Sequence, residues 1–189
     1  MRYSEDHKAK THQMILEEAA RRFRRDGVGA TGLQPLMKAL GLTHGGFYAH
    51  FKSKDELVEK ALQHATDNLR ASLAMHLGED APASALINTY LSPEHRSNPD
   101  RGCPLPTMSA EMGQRGQASS ITDKVVTDRL ANLAGKLAGD DAEEQSVLVL
   151  SALVGALLLS RSVSDEALSD RLLNTARKQL NQLVENPAD

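Results

Sequence analysis

Hydroxyl, imidazole, phenol and amine side chains follow one another at short intervals between positions 43 and 54. They are Thr43, His44, Tyr48, His50 and Lys54. Side chains of these types bind phosphate oxygens and the edges of bases; phosphate contacts set register, whereas base contacts set sequence choice. No assembled pair of nucleophile and base accompanies them, so the run favours binding to a nucleic acid over catalysis.

Two glycines stand inside this run, within a short helix that we expect to span His44 to His50. Gly45 and Gly46 each cost a helix about 1 kcal/mol relative to alanine, so a helix that keeps both needs a reason. Close approach to DNA provides that reason. Thr43 is a good N-cap for this helix, and the N–H groups at the helix start can hold a phosphate.

Three helices are expected to position these side chains. An apolar stripe predicts a first helix over Lys8–Arg25, a second helix covers about 33–40, and a turn containing Gly41 leads into the third. Two short helices joined by such a turn and packed on a longer one describe a helix-turn-helix unit, whose second helix enters the DNA major groove. Phe47 and Phe51, four residues apart, are assigned to the small core of this unit.

The ordered run from Thr31 to Leu57 closely resembles the N-terminal signature of the TetR family of bacterial transcriptional repressors. A glycine turn leads to a small hydroxyl residue, a glycine, an apolar-tyrosine pair, a histidine-phenylalanine pair and a lysine that opens the next long helix. The resemblance implies that Tyr48, His50 and Lys54 contact phosphates, while His44 is the candidate for a base edge. The predicted DNA-binding set is Gln34, Thr43, His44, Gly45, Tyr48, His50 and Lys54.

Charge and composition are distributed unevenly along the 189 residues. Residues 1–55 carry ten basic and six acidic side chains, whereas the remainder carries 12 and 19, which suggests that only the first part meets a polyanion. The arginines at 21, 22, 24 and 25 are interpreted as a solvated face. Leu plus Ala number 51 against 12 for Val plus Ile, which predicts an all-α fold. We expect a helix-turn-helix DNA-binding domain over 1–55 and a larger helical effector-binding and dimerisation domain over 56–189.

The larger part is expected to hold the subunit and ligand surfaces. Ala142–Ser160 is apolar around nearly its whole circumference, which predicts burial inside the domain or against a partner subunit, and Asp165–Val184 has one apolar face. These helices are the predicted surfaces of a homodimer that reads a palindromic double-stranded DNA operator. The resemblance implies a small-molecule effector among the helices between 62 and 138. Candidate lining residues are Tyr90, Cys103, Met108, Glu111 and Met112.

Cys103, the one cysteine of the sequence, has two interpretations. It precedes Pro104, a residue favoured at the first position of a helix, where a thiol becomes more acidic and more reactive; it can therefore act as a sensor of oxidants or electrophiles. It can also be a small buried hydrophobic residue.

Motifs typical of dinucleotide binding, of hydrolases and of metal sites are incomplete in this sequence. The segment 27–32 matches the G-x-G-x-x-G dinucleotide pattern but follows a basic helix instead of a strand, so we treat it as a loop. The His44-Gly45-Gly46 run is not accompanied by a G-x-S-x-G nucleophile, and the seven histidines contain no i, i+4 pair. We expect no enzymatic activity, no metal and no cofactor.

The apolar segments of the sequence bear on the location of the protein and on its partners. The most apolar window, Val147–Leu159, has 13 residues, fewer than the about 20 that cross a bilayer, and the charged N-terminus lacks the apolar stretch of a secretory signal. We expect a cytoplasmic protein without a membrane partner. The alternative function is a helical protein-interaction module without sequence-specific DNA binding, and repression and activation both remain open.

Overall fold

The computed structural model describes residues 2–116 and 118–185, and every regular element within them is a helix, so the all-α expectation is confirmed. In chain order the elements are α1 (Arg2–Asp26), α2 (Leu33–Ala39), the 3-10 helix His44–Ala49, α3 (Lys54–Leu77), α4 (Ala83–Tyr90), α5 (Pro93–Ser97), the π-helix Leu105–Ser109, α6 (Ala110–Gln114), α7 (Ser120–Ala134), α8 (Ala142–Ser162) and α9 (Glu166–Glu185). We call His44–Ala49 the recognition helix below.

The chain divides into two compact units. The first comprises the chain up to Leu69 together with Asp100–Thr122, and the second comprises Arg70–Pro99 together with the chain from Asp123. Helix α3 contributes residues to both units. The predicted functional domains, 1–55 and 56–189, follow a different division and stay a prediction, because compactness by itself does not test function.

In the first unit, the inner faces of α1, α2, the recognition helix and α3 form an apolar core. Its fully buried side chains include Ile15, Ala19, Phe23, Leu36, Met37, Phe47, Phe51, Leu57, Ala61, Leu62 and Ala65. Burial of one large apolar side chain stabilises a fold by about 1.5–3 kcal/mol. The six residues of the recognition helix are therefore held mainly by packing on their neighbours.

The start of α2 differs from the S/T-x-x-E/Q box that Thr31 and Gln34 suggest. The N-cap of α2 is Gly32, which has no side chain to offer, and the Thr31 hydroxyl donates to the carbonyl oxygen of Gly27 at 2.7 Å. Thr31 is only 4% exposed. Since a buried hydroxyl needs a partner, Thr31 closes the loop between α1 and α2 instead of capping α2.

The segment between α4 and α7 contains more helix than its sequence suggests. Residues 92–101 are rich in Pro, Ser and Asn, which predicts a loop, yet they include α5, which Ser92 caps by accepting a hydrogen bond from the N–H of His95 at 3.1 Å. The sequence predicts one short helix over 104–112, and the structure has a π-helix followed by α6 there. Such π-segments are rare and often mark functional sites.

In the second unit, α4, α8 and α9 pack around a second apolar core. Its buried members are Ile87, Leu91, Leu133, Val149, Leu153, Leu157, Leu173 and Leu180. Arg96 of α5 donates to the Ser169 hydroxyl and to the Asp170 carboxylate, both at 2.7 Å. Arg161 of α8 donates to the carbonyl oxygen of Arg96 at 3.0 Å. These hydrogen bonds tie α5 to the ends of α8 and α9.

One face of α8 is exposed. Val147, Leu148, Leu158 and Leu159 are between 41% and 56% exposed. This face is therefore not buried inside the domain, and its burial against a partner subunit remains a proposal. Among the described residues, α8 is the one helix that could cross a bilayer by length and composition, a test that core helices of soluble proteins also pass.

Candidate nucleic-acid interface

Local contacts fix both ends of the turn that leads into the recognition helix. Thr43 is the N-cap, as predicted, and its hydroxyl oxygen accepts a hydrogen bond from the Gly46 N–H at 3.2 Å. Gly41 turns the chain at φ +70°, a left-handed conformation that glycine adopts most readily. The Leu42 N–H donates to the carbonyl oxygen of Met37 at 2.9 Å, which closes the end of α2.

The recognition helix has a buried apolar side and an exposed polar side. Phe47 and Phe51 are 0% and 1% exposed and their rings stack 5.6 Å apart, so their predicted place in the core is confirmed. Tyr48 is 60% exposed, and its ring meets that of the exposed His44 edge-on at 6.0 Å. The phenol and the imidazole thus lie side by side, available to a phosphate and to a base edge. Gln34 is also exposed, in the first turn of α2.

Glycine is favoured for different reasons at the two positions of the recognition helix where it occurs. A Cβ atom on Gly46 would lie 3.3 Å from Oγ1 of Thr43, so the N-cap itself disfavours a larger residue there. A Cβ atom on Gly45 would meet no described atom within 4 Å. Packing within the chain therefore does not require Gly45, and close approach of an external partner remains the proposed reason for it.

His50 and Lys54, two of the predicted phosphate contacts, are partly buried. The Lys54 ammonium donates to the carbonyl oxygen of Val28 at 2.7 Å, and burial lowers its pKa, with a further contribution from Arg115. An ammonium has three N–H donors, so this bond leaves capacity for another acceptor. For His50, burial is the main cause that lowers the pKa of the imidazole, followed by the positive charge of His12.

A carboxylate of α6 holds the loop between α1 and α2. The two oxygens of Glu111 accept hydrogen bonds from the N–H groups of Val28, at 3.0 Å, and Gly29, at 2.7 Å. Gly27 lies at φ +91°, and a Cβ atom there would collide with the Glu111 carboxylate. Hydrogen bonds to a charged group are about twice as strong as neutral ones. The loop that precedes α2 is therefore positioned by a residue more than 80 places later in the chain.

These contacts also explain the glycine pattern of the loop. In a dinucleotide-binding protein the N–H groups of such a loop face phosphates, whereas here two of them bind the Glu111 carboxylate of the same chain. A Cβ atom on Gly29 would lie 2.8 Å from a nitrogen of the Arg115 guanidinium, which itself contacts Glu111 at 3.3 Å. Gly27 and Gly29 thus leave room for the side chains of Glu111 and Arg115, and the segment is a loop, as expected.

Arg24 differs from the other arginines near the end of α1. Its guanidinium donates to the carbonyl oxygen of Gly102 at 3.2 Å, and burial lowers its pKa. The prediction that it belongs to a solvated face is therefore wrong. Arg21 and Arg22 instead pair with Glu18 on the surface of α1, at 2.8 Å and 2.6 Å, and stay off the predicted contact list.

The candidate effector residues are distributed over both units. Tyr90 belongs to the second unit, where its ring meets that of His95 edge-on at 4.7 Å. Cys103, Met108 and Met112 belong to the first unit and are at most 5% exposed. The burial of Cys103 is what its second interpretation expects. A ligand-binding role for these residues and for Glu111 stays a prediction. Within the described part of the chain, no group of three or more His, Cys, Asp or Glu side chains could hold a metal ion.

Two family models match the chain. The model for bacterial regulatory proteins of the tetR family matches residues 15–61, and the model for a tetracyclin repressor-like C-terminal domain matches residues 80–185. The first match contains the recognition helix with its core. The second covers more than half of the chain and contains α4 to α9.

Whole proteins with similar sequences are regulators. An uncharacterised HTH-type transcriptional regulator of Mycobacterium tuberculosis is 27% identical over 165 residues, which cover 79% of this chain and 83% of that protein. The HTH-type transcriptional regulator TtgR of Pseudomonas putida is 27% identical over 175 residues, covering 84% and 83% of the two chains. The HTH-type transcriptional regulator AcrR of Shigella flexneri is 39% identical over 59 residues, 31% of this chain and 27% of that one.

Solved structures share the fold. Reduced E. coli NemR superposes with a TM-score of 0.73 at 19% identity, over 95% of this chain and 100% of that one. A TetR-family regulator from Cytophaga hutchinsonii superposes with a TM-score of 0.74 at 20% identity, over 92% and 94%. At this level of identity the likeness concerns the fold alone.

Proposed function

Because this chain belongs to the tetR family of bacterial regulatory proteins, we propose that it is a repressor that binds a palindromic DNA operator as a homodimer and leaves it when a small molecule binds. It is a transcriptional regulator, and proteins of this family are regulators rather than enzymes, as expected. The observation that carries the proposal is the exposed pair His44 and Tyr48 above the buried rings of Phe47 and Phe51.

Side chains in and next to the recognition helix are proposed to contact different parts of the DNA. Tyr48, His50 and Lys54 bind phosphates and set the register, together with the first N–H groups of the helix. His44 reads a base edge, and the absence of a side chain at Gly45 lets the backbone approach the groove. Gln34 adds a contact from the start of α2.

The exposed face of α8 supports the homodimer. One short recognition helix reads only a few base pairs, and a two-fold axis doubles the interface on a palindromic site. Val147, Leu148, Leu158 and Leu159 leave apolar surface on α8 that a second copy would cover. A monomer at micromolar concentration in sedimentation would contradict this assembly.

The effector must distinguish two states of the protein in order to release DNA. A ligand that binds both states equally shifts nothing, so it has to favour a dimer whose recognition helices no longer match adjacent grooves. Flexible methionines such as Met108 and Met112 suit an adaptable pocket. We place the protein in the cytoplasm, where operator DNA and a small effector are both accessible.

Selection of bound fragments from genomic DNA, followed by footprinting, tests the proposal. We expect one protected palindrome. His44→Ala should relax the choice of base at one position in each half-site, whereas Lys54→Ala should weaken binding to all sequences similarly and reduce the salt dependence. Binding without any sequence preference would favour the alternative, a helical protein-interaction module.

A further inference from the structure

One peptide group of the loop between α1 and α2 is bound by opposite charges on its two sides. Its N–H, on Gly29, donates to Oε2 of Glu111 at 2.7 Å. Its carbonyl oxygen, on Val28, accepts from the Lys54 ammonium, also at 2.7 Å. A trans peptide is planar and its N–H and C=O point in opposite directions, so neither group can rotate without the other. We call this arrangement the Glu111–Lys54 bridge.

Both hydrogen bonds of the Glu111–Lys54 bridge involve a charged group, and each strengthens the other. A carboxylate that accepts from the N–H polarises the peptide, so its carbonyl oxygen becomes a better acceptor for an ammonium. The Glu111 carboxylate also opposes the lowering of the Lys54 pKa that burial and Arg115 cause. Glu111 therefore favours the charged form of Lys54 as well as the direction of the carbonyl oxygen that holds it.

The Glu111 carboxylate is itself held by further contacts. Its other oxygen accepts from the N–H of Val28 at 3.0 Å, and the Arg115 guanidinium lies 3.3 Å from it. The side chain of Glu111 is 27% exposed, so much of it is shielded from water. These contacts place the carboxylate, and with it the loop peptide, before any partner binds.

A fixed position of the Lys54 ammonium matters for its proposed contact with a phosphate. A lysine side chain that moves freely loses rotamer freedom when it binds, whereas a side chain that is already held loses less. The bond to Val28 uses one of the three N–H donors of the ammonium, and a phosphate can accept from another.

We propose that Glu111 is a positioning residue for Lys54 and that it raises DNA affinity through the peptide between Val28 and Gly29. This inference rests on the proposed function, in which Lys54 contacts a phosphate. A carboxylate that acted on DNA by its charge alone would repel the phosphates, so its removal would tighten binding. The Glu111–Lys54 bridge requires the opposite sign, because removal of the carboxylate releases the ammonium.

Hydrogen exchange in the free protein tests the Glu111–Lys54 bridge without DNA. Lys54→Ala removes the ammonium, so exchange at the Gly29 amide should accelerate at least about threefold, because the peptide loses one of its two anchors. The Gly46 amide, which donates to the Thr43 hydroxyl, is the internal control and should keep its exchange rate. Unchanged exchange at Gly29 overturns the bridge, whether or not an operator has been found.

A double-mutant cycle tests the effect on binding, by fluorescence anisotropy of the full chain on its selected operator, with each variant shown to be folded by circular dichroism. Glu111→Gln keeps the shape of the side chain but has no charge and only one acceptor oxygen. It should lower operator affinity about fivefold and reduce the salt slope. In a Lys54→Ala background the same substitution should change affinity by less than about 1.5-fold. Tighter binding by Glu111→Gln, or an equal loss in both backgrounds, overturns the proposal.

Two further variants separate positioning from charge and from stability. Glu111→Asp keeps the charge on a shorter side chain that no longer reaches both amides, so it should lose affinity as Glu111→Gln does. Full affinity in Glu111→Asp would mean that charge suffices and would overturn the positioning role.

Thr107→Ala removes a different hydrogen bond of the π-helix, to the carbonyl oxygen of Arg24, and should lower stability without changing operator affinity. A loss of affinity as large as that of Glu111→Gln would trace the effect to stability and overturn the proposal. Failure of the wild type to bind any defined duplex overturns the proposed function, whereas the exchange rate at Gly29 still decides whether the Glu111–Lys54 bridge exists.

Discussion

Two short, irregular helices of the first unit have opposite relations to their surroundings. The recognition helix, a 3-10 helix, is capped by its own N-terminal neighbour Thr43 and presents Tyr48 to solvent at 60% exposure. The segment formed by the π-helix and α6 buries Leu105, Pro106, Met108 and Met112, and its carboxylate, Glu111, binds a loop far away in the chain. We call this second element the 105–114 segment.

The difference indicates where each element can change without loss of the fold. The exposed side chains of the recognition helix have few contacts within the chain, so they are free to be chosen for a partner. The 105–114 segment instead makes hydrogen bonds on which its neighbours depend: Glu111 accepts from the loop before α2, and the Thr107 hydroxyl donates to the carbonyl oxygen of Arg24, in the last turn of α1, at 3.1 Å. Substitutions in the first element should therefore affect binding, and substitutions at the second should affect stability.

The largest effect is expected for Gly27→Ala, at the loop that receives Glu111. An L-residue at φ +91° is strained, and its Cβ atom would displace the Glu111 carboxylate, so the free energy of unfolding should fall by about 2–3 kcal/mol in urea denaturation. In a Glu111→Ala background the same substitution should cost only the backbone strain. If the losses in free energy of unfolding caused by the two substitutions are additive, the loop does not depend on Glu111. The 105–114 segment would then not stabilise the loop, contrary to the comparison.

A smaller effect, on DNA affinity alone, is expected for Gly45→Leu. A Cβ atom at this position would meet no described atom within 4 Å, so the free energy of unfolding should change by less than about 1 kcal/mol. Operator affinity should fall at least about tenfold, equivalent to about 1.4 kcal/mol, because the side chain occupies the surface that approaches DNA. Gly113→Leu is the matched control, since Gly113 in α6 also has open space at its Cβ position. Equal loss of affinity in both variants would contradict the assignment of position 45.

The smallest effects come from two threonine hydroxyls, one in each element compared. Thr43→Ala removes an N-cap and should lower the free energy of unfolding by about 1 kcal/mol or less, and hydrogen exchange at the Gly46 amide should accelerate. Thr43→Ser should restore both. Thr107→Ala should cost a similar amount of stability without changing exchange at Gly46. Faster exchange at Gly46 in Thr107→Ala would show that the recognition helix is not capped independently.

The helix-turn-helix unit could be predicted because its determinants are close together in sequence. The N-cap Thr43, the turn at Gly41 and the buried pair Phe47 and Phe51 each act within a few residues, and the structure confirms all of them. The spacing of Thr31 and Gln34 predicts a capping box at the start of α2, and this prediction is wrong because the Thr31 hydroxyl donates to the carbonyl oxygen of Gly27 across the loop. That choice depends on burial, which no local spacing encodes.

Composition and short-range spacing by themselves determined that this chain is helical, where its two short helices begin and, to within one residue, where they end, and which end is basic. The tertiary structure decided which groups far apart in the sequence form hydrogen bonds and which surfaces stay exposed. It assigned Glu111 to the amides of Val28 and Gly29, buried Arg24 against the carbonyl of Gly102, and left one face of α8 exposed. The reason is that caps and apolar periodicity act over one or two turns, whereas these contacts join groups about 80 residues apart that only packing brings together.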